Sequence, residues 1–477
     1  MGQEISQTQF SAADFTRFLH RLSVETERLG HFFADASPND DKPIAGLEIE
    51  AWLINDAMRP SPINEHYLST IDEPLASAEL AKFNIELNTR PLKLESTIFS
   101  DLHHQLQSTW SNAVTHAEQL DSRLMMIGIL PTLLPSDLTI ANMSDLNRYR
   151  ALNKQILAIR EHPIHLDITG NEHLDLDHDD IMLESATTSL QLHTKVPVHT
   201  AHHYYNAAII ASAAMVAICG NAPYLFQKDL WYESRIPLFE QAVDIGGYNG
   251  AAQGPIKRVS FGTGYARHSL FECFQENLEH FPVLLPEYLD EDSASFAHLK
   301  LHNGTIWRWN RPLVGINDDG TPHIRIEHRT PAAGPTLIDT VANAAFYYGL
   351  TQNLFELITN NGLPIEFTVA RDNFYHAAKH GLSSHVSWID EQRVRLKSLL
   401  IADFIPRAMD GLTQLGIPED ECQRYLGIIQ QRAESQQTGS QWQRQFIKKH
   451  PNDFRKMTEH YIHNQQSNKP VSEWPLS

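Results

Sequence analysis

Four separated stretches of the chain alternate apolar and polar residues with a period of two, and in each the polar side is made of carboxylates, amides, histidine or arginine. In Ile44–Ile54, residues Ala45, Leu47, Ile49, Ala51 and Leu53 fall on one face of an extended strand, with Gly46, Glu48, Glu50 and Trp52 on the other. Phe83–Asn88 sets Phe83, Ile85 and Leu87 against Asn84, Glu86 and Asn88. Thr187–Lys195 sets Leu190 and Leu192 against Ser189, Gln191 and His193, and His323–Arg329 sets Ile324 and Ile326 against Arg325, Glu327 and Arg329. Any one of these strands is compatible with the wet face of an antiparallel sheet. As a set they are not, because solvated faces favour Thr, Lys and Ser, and a concentration of carboxylates on one face requires a counter-ion.

Helical patterns separate the strands. Ser11 caps one whose apolar positions run from Phe15 to Leu29, and amphipathic stretches follow at Phe99–Met126, Asp145–Arg160, His199–Cys219 and Pro335–Ile358. Strands with one apolar face to cover, spaced by long helices, predict an α+β fold: a largely antiparallel sheet with helices on one face and an open catalytic face. Beyond about residue 365 the patterns are helical, at Trp388–Ile401, Pro418–Arg432 and Gln441–Tyr461. The expected division is therefore a catalytic domain over 1–365 and a helical C-terminal region over 366–477. Gly246–Gly254 and Ser260–Gly264 read as flexible loops.

Charge narrows the partners. With 58 acidic against 38 basic residues the formal net charge is −20, which repels a phosphate backbone and an anionic bilayer. Nucleic acid and membrane are thereby set aside, and an anionic substrate needs locally placed Arg, Lys or metal. No apolar run is long enough to span a bilayer, the opening MGQEISQTQF lacks signal-peptide character, and Cys219, Cys273 and Cys422 have no metal or disulfide spacing. The expected setting is cytoplasmic, with reduced thiols. Homo-oligomerisation is compatible with the chain, although no seam marks an interface.

Glu48, Glu50, Glu86 and Glu327 are hard oxygen ligands, and strands laid side by side would bring them together. Divalent cations offset their repulsion, and magnesium suits such a site when phosphate oxygens complete its octahedron. Arg325 and Arg329 add forked donors for phosphate or carboxylate oxygens.

The motifs GLEIEAWLI, FNIELNTRPLKL, TTSLQLHTKV, CGNAPYLF, SRIPLFEQAVD and HIRIEHRTPAAGPTLIDTVANAAFYYGL occur in that order over roughly residues 44–360. Together they resemble the glutamate–cysteine ligase and carboxylate–amine ligase family of the glutamine-synthetase-like superfamily. The resemblance implies a ligase dependent on ATP and magnesium, with small-molecule carboxylate and amine substrates. It implies magnesium ligands at Glu48, Glu50, Glu86 and Glu327, and at His193 either a metal ligand or a nucleotide-phosphate contact. Arg329 and Arg325 would act on the transferring phosphoryl group, Arg235 would hold the substrate carboxylate, and Arg308 and Arg311 would take either role. Asn88 and Gln191 would be substrate contacts. The implied reaction joins a carboxylate, by resemblance the γ-carboxyl of glutamate, to an amine such as cysteine through an acyl phosphate, with the Gly-rich loops as a lid. A ligase-fold scaffold without turnover and a phosphotransferase of the same superfamily are the competing readings. The first strand has Glu-Ile-Glu where some relatives carry three acids, and residues 246–267 match no family motif.

Three further signals carry less. LDLDHDD at Leu174–Asp180 resembles a calcium-loop opening but has Asp180 at the turn and Ala186 at the twelfth position, and reads as an acidic surface loop. His199, His202 and His203 read as a helix surface. Whether Glu184, beyond the matched motif, is a further ligand stays open.

Overall fold

The computed structural model describes residues 4–37, 41–160, 162–245, 256–389 and 393–476. Its frame is an antiparallel sheet of β1 (Ile44–Ile54), β2 (Ala76–Ala78), β3 (Asn84–Asn88), β4 (Leu190–Val196), β5 (Asn310–Ile316) and β6 (Pro322–His328), in the order β5-β6-β4-β1-β3-β2. Leu92–Lys93 and Arg123–Met125 pair with the two ends of β1. Every strand read from alternation is present, and the register aligns their polar positions: Glu50 opposite Glu86, Glu48 opposite Asn88 and Gln191, Gly46 and Glu327 opposite His193, and Glu327 opposite Arg311. Because side chains alternate with period two, this register puts all of them on one face.

Five helices matter for the site: α1 (Ala12–Ala34), α2 (Asn147–Arg160), α3 (Ala201–Ile218), α4 (Ala297–Asn303) and α5 (Leu337–Asn361). The apolar face of the sheet is covered by α3 and α5. Tyr348 on α5 donates its hydroxyl to the carbonyls of Gly46 (3.1 Å) and His193 (3.0 Å), fixing helix to sheet directly behind the polar face.

Helices α3 and α5 are not amphipathic as their sequences suggest: α3 is buried on every side from Tyr204 to Ile218, and α5 nearly so from Leu337 to Gln352. Their outer sides are covered by the C-terminal helices, so a helix apolar all round is what this layer requires. The helix Ile405–Leu415 crosses α5 at Gly349 and Gly411, where a Cβ on Gly349 would stand 2.3 Å from the Ala408 carbonyl. Farther along, Arg432 forms an ion pair of 2.7 Å with Asp339 of α5, both groups fully buried. Asn221, in the turn after α3, donates to Tyr461 Oη and to the Ala333 carbonyl, both at 2.7 Å. Buried side chains from 366–476 and from the preceding residues form one continuous core.

Other departures have local causes. The helix expected over Phe99–Met126 stops at Gln119, and Arg123–Met125 joins the sheet. Trp388–Ile401 holds a hairpin strand, Arg393–Arg395 paired with His385–Ser387, before a helical turn begins at Leu396. Gln441–Tyr461 is two helices, Gly439–Lys449 and Phe454–Gln466, parted around Pro451, which cannot continue the first. Leu174–Asp180 lies mostly in a strand, His173–His178, paired with Ile164–Thr169 rather than in a loop. Residues 246–254 fall outside the described residues. Ser260 pairs with Arg308 in a short parallel ladder, and Phe261 beside it is buried. Cys219, Cys273 and Cys422 are free and buried. Among the described residues no helix is long and apolar enough to cross a membrane.

Candidate active site

The polar face opens on a cavity of about 350 Å3. Its floor is Glu48 and Glu50 from β1, Glu86 from β3, Gln191 from β4, Arg311 from β5, and Arg325, Glu327 and Arg329 from β6 and its end. One wall comes from α2 with Arg148, Tyr149 and Leu152; another from α4 and the turn after it, with Lys300, Leu301, Asn303 and Gly304.

Two groups of side chains at this face of the sheet could each hold a metal ion, their ligand atoms lying within 4.8 Å of one another: Glu48, His193 and Glu327 in one, Glu50, Glu79 and Glu86 in the other, with all but His193 lining the cavity. In the first, His193 Nε2 lies 2.9 Å from Glu48 Oε1 and 3.9 Å from Glu327 Oε1. Nδ1 is buried without a hydrogen-bond partner and Nε2 faces these two carboxylates, an arrangement that suits a metal-ligating imidazole. Glu327 accepts two parallel bonds from Arg311, each 2.8 Å, and a third of 2.9 Å from Arg329. Burial opposes its charge, but these two guanidinium groups hold it well below the usual carboxylate range. Glu48 is slightly more exposed; its partial burial opposes the charge, and His193 beside it holds it down at about 2.

The second group behaves in the opposite way. Burial, then repulsion from Glu48, pushes Glu86 up to about 7. Burial, then Glu86, raises Glu79 well above its ordinary value. Burial also raises Glu50, in spite of Arg329 and Arg235. Glu184, on the cavity wall, is pushed up to about 8 by burial and by Glu50. These carboxylates crowd together without an equal supply of cations, so an incoming divalent cation would find oxygen donors and relieve their repulsion.

The hydrogen bonds fix ligand orientation. Glu50 accepts from the Ser189 amide (2.6 Å), the Ser189 hydroxyl (3.0 Å) and Gln191 Nε2 (2.8 Å). The other end of the same amide, Gln191 Oε1, accepts from Arg329 at 2.5 Å, so Gln191 links the two groups.

Three residues expected to touch substrate do not line the cavity. Asn88 instead donates to Glu86 Oε1 at 2.9 Å and to the Leu75 carbonyl at 3.3 Å, orienting a carboxylate. Arg235 is buried beneath the floor, donating at 3.3 Å to Glu233 and to the carbonyls of Arg329 and Thr330. Arg308 is buried and held by Asn277 (2.6 Å) and Glu276 (2.8 Å). The partners of Arg308 and the backbone acceptors of Arg235 come from distant parts of the chain, whereas Asn88 bonds Glu86 on its own strand; the motif alone could not separate a ligand contact from these structural bonds. The loop 260–264, expected as part of a lid, contributes no lining residue among the described residues; Thr263 is bound to Glu276 at 2.6 Å. Conversely Glu79, Arg148, Tyr149 and Lys300 line the cavity without having been marked by any motif. Glu79 follows a strand of three residues, too short for alternation to register. The histidines at 199, 202 and 203 form no metal group among the described residues, and His203 bonds Thr359 at 3.0 Å.

An antiparallel sheet with helices behind it and a carboxylate- and arginine-lined cavity before it is the frame of the glutamine-synthetase-like ligases. Two solved structures share the fold: glutamate–cysteine ligase from Francisella tularensis in complex with AMP (12% identity, 91% of this chain and 90% of that one, TM-score 0.51) and a bifunctional glutathione synthetase from Pasteurella multocida (11% identity, 93% of this chain and 55% of that one, TM-score 0.50). Residues 44–468 match the model of glutamate–cysteine ligase family 2, and the chain belongs to that family. It is accordingly an ATP-dependent carboxylate–amine ligase. The match runs past the motifs of residues 44–360 into the C-terminal helices. A comparison with curated proteins finds no match.

Proposed function

We propose that this ligase activates the γ-carboxyl of glutamate with ATP and couples it to an amine, with cysteine the first candidate. The observation that supports this reading most is the meeting of two metal-competent carboxylate groups with Arg311, Arg325 and Arg329 in one cavity. Glu48, His193 and Glu327 would hold one divalent cation and Glu50, Glu79 and Glu86 another. Magnesium in these places would supply neutralising charge for the triphosphate.

The protein's own groups have separable tasks. Lys300 and Arg325 would serve the nucleotide as cations for its phosphate oxygens, with Trp307, Leu313 and Val314 of the same lining as apolar surface for a base. Arg148 and Tyr149, beside Leu152 and Ile181, form the amino-acid end. A glutamate carboxylate oxygen attacks the γ-phosphorus, ADP leaves, and Arg329 stabilises the transferring phosphoryl charge. The amine then attacks the acyl phosphate carbonyl and expels phosphate, and the walled cavity keeps water from that intermediate. Gln191 holds Arg329 and Glu50 in register for both steps. Residues 1–365 would carry the chemistry and 366–477 would brace the helices behind the sheet.

The test is ADP release with magnesium, ATP and L-glutamate against an amine panel, followed by mass measurement of the amide. ADP release that depends on both glutamate and an amine, with the matching γ-linked product, is the expected result. If no amine in the panel gives a γ-glutamyl amide, the substrate assignment fails.

A further inference from the structure

The segment before residue 44 lies outside the stretch that the family model matches, yet it grips the walls of the cavity at three points. Glu4 Oε1 accepts from the backbone amides of Asn147 (2.8 Å) and Arg148 (3.3 Å) at the start of α2. A carboxylate there satisfies amides that have no partner within the helix and opposes its positive end. In return Asn147 Nδ2 donates to the carbonyls of Ile5 (3.2 Å) and Ser6 (3.4 Å), and Ile5 is buried. Ser6 donates its amide to Glu287 at 3.3 Å and its hydroxyl to the same carboxylate, two residues beyond Leu285 of the cavity lining.

The third grip is buried completely. Glu25 of α1 accepts from His298 Nδ1 at 2.7 Å and from the Leu299 amide at 2.8 Å, with both side chains fully shielded from solvent. The Leu289 amide donates to His298 Nε2 at 3.3 Å, which leaves the ring proton on Nδ1, where Glu25 accepts it. His298 and Leu299 are the residues of α4 immediately before Lys300 and Leu301, which face the cavity. The same segment therefore holds the α2 wall at one end and the α4 wall at the other.

We propose that residues 4–34 are a strap that sets the spacing of these two walls, and that Glu4 and Glu25 are positioning residues: Glu4 for the ligand bound against Arg148 and Tyr149, Glu25 for the nucleotide bound against Lys300. The ligand assignment rests on the proposed function; the mechanical claim does not.

The test uses the full chain with Glu4→Ala, Glu4→Gln and Glu25→Gln, and Glu27→Gln, an exposed position on the same helix, as control. Hydrogen-exchange mass spectrometry reads the walls, and calorimetry reads binding of ADP with magnesium and of L-glutamate. Glu25→Gln speeds exchange over 296–304 and weakens ADP about fivefold to twentyfold, since coupling through a packed contact is of this size. Glu4→Ala speeds exchange over 147–153 and weakens glutamate about threefold to tenfold, and Glu4→Gln, which keeps the acceptor oxygen, restores most of it. Turnover at saturation stays within about twofold in both, because neither residue touches a reacting group. Faster exchange with unchanged affinities would reduce the strap to a stability element and overturn the proposal, as would variants indistinguishable from Glu27→Gln. A wild-type chain that shows strap-dependent ADP binding yet forms no amide would count against the ligase chemistry and leave the strap standing.

Discussion

The two carboxylate groups on the sheet use one residue type in opposite electrostatic settings. Glu48 and Glu327 sit among Arg311, Arg329 and His193 and stay ionised far into acid, while Glu50, Glu79, Glu86 and Glu184 crowd one another and are all raised by burial. Neighbouring carboxylates raise Glu79, Glu86 and Glu184 further, Glu86 to about 7 and Glu184 to about 8. One group has its charge balanced by neighbouring cations; the other has its charge opposed by burial and by its own members, an opposition that an incoming cation would relieve. The difference follows from strand order: β6 brings arginines beside β4, whereas β3 and the end of β2 bring only more acids beside β1.

The largest test of this contrast is at Glu327. Glu327→Gln leaves Arg311 and Arg329 without their shared carboxylate and is expected to lower turnover by about a thousandfold or more, measured as ADP release, with the far-ultraviolet circular dichroism unchanged. Retention of full activity would remove Glu327 from the catalytic centre. Next comes Glu79→Gln, which removes one of three oxygens from the second group. It should raise the magnesium concentration for half-maximal activity by about tenfold or more, with little change in the affinity for ADP alone.

Acidity gives the third comparison. Glu86 and Glu184 titrate near 7 and 8 in the folded chain against an ordinary 4.5, so between these values the folded state binds more protons than the unfolded one. Without divalent cations, thermal stability should therefore fall as pH rises from about 4.5 to about 8, and magnesium should flatten that slope. Magnesium binding near pH 6.5 should release protons, measurable as a buffer-dependent heat in calorimetry. A pH-independent melting temperature over this range would show that the second group is not strained by its own charge. The smallest expected effect is that of Asn88→Ala. Loss of one bond to Glu86 should weaken magnesium by about threefold to tenfold while glutamate affinity stays constant, in contrast to the substrate contact the motif suggested.

Much of this was legible before the fold. The alternation of Ile44–Ile54 marks the central strand with both of its glutamates, and Gln191, His193, Glu327 and Arg329 share the sheet face that their spacing assigns. What could not be read falls into two kinds. Arg235, Arg308 and Asn88 stand in the right motifs, but their side chains are taken up by bonds inside the protein, to the Arg329 carbonyl, Glu276 and Glu86 respectively, and do not line the cavity. Glu79, Arg148, Tyr149 and Lys300 stand in no repeating pattern, because they reach the cavity from a turn and from helix ends rather than from a regular strand. The all-round burial of α5 was equally hidden, since its second partner is a helix some sixty residues farther on that meets it at Gly349 and Gly411.

By itself the sequence determined which side chains lie on one face of each strand, because the direction of a side chain from an extended backbone depends only on parity. Only the tertiary structure decided which strand lies beside which, and with that the neighbours of every carboxylate. Charge interactions fall off over a few ångströms of real space, not of chain, so the separation into one group held ionised by arginines and one group waiting for a cation could arise only when β3, β1, β4 and β6 were laid side by side.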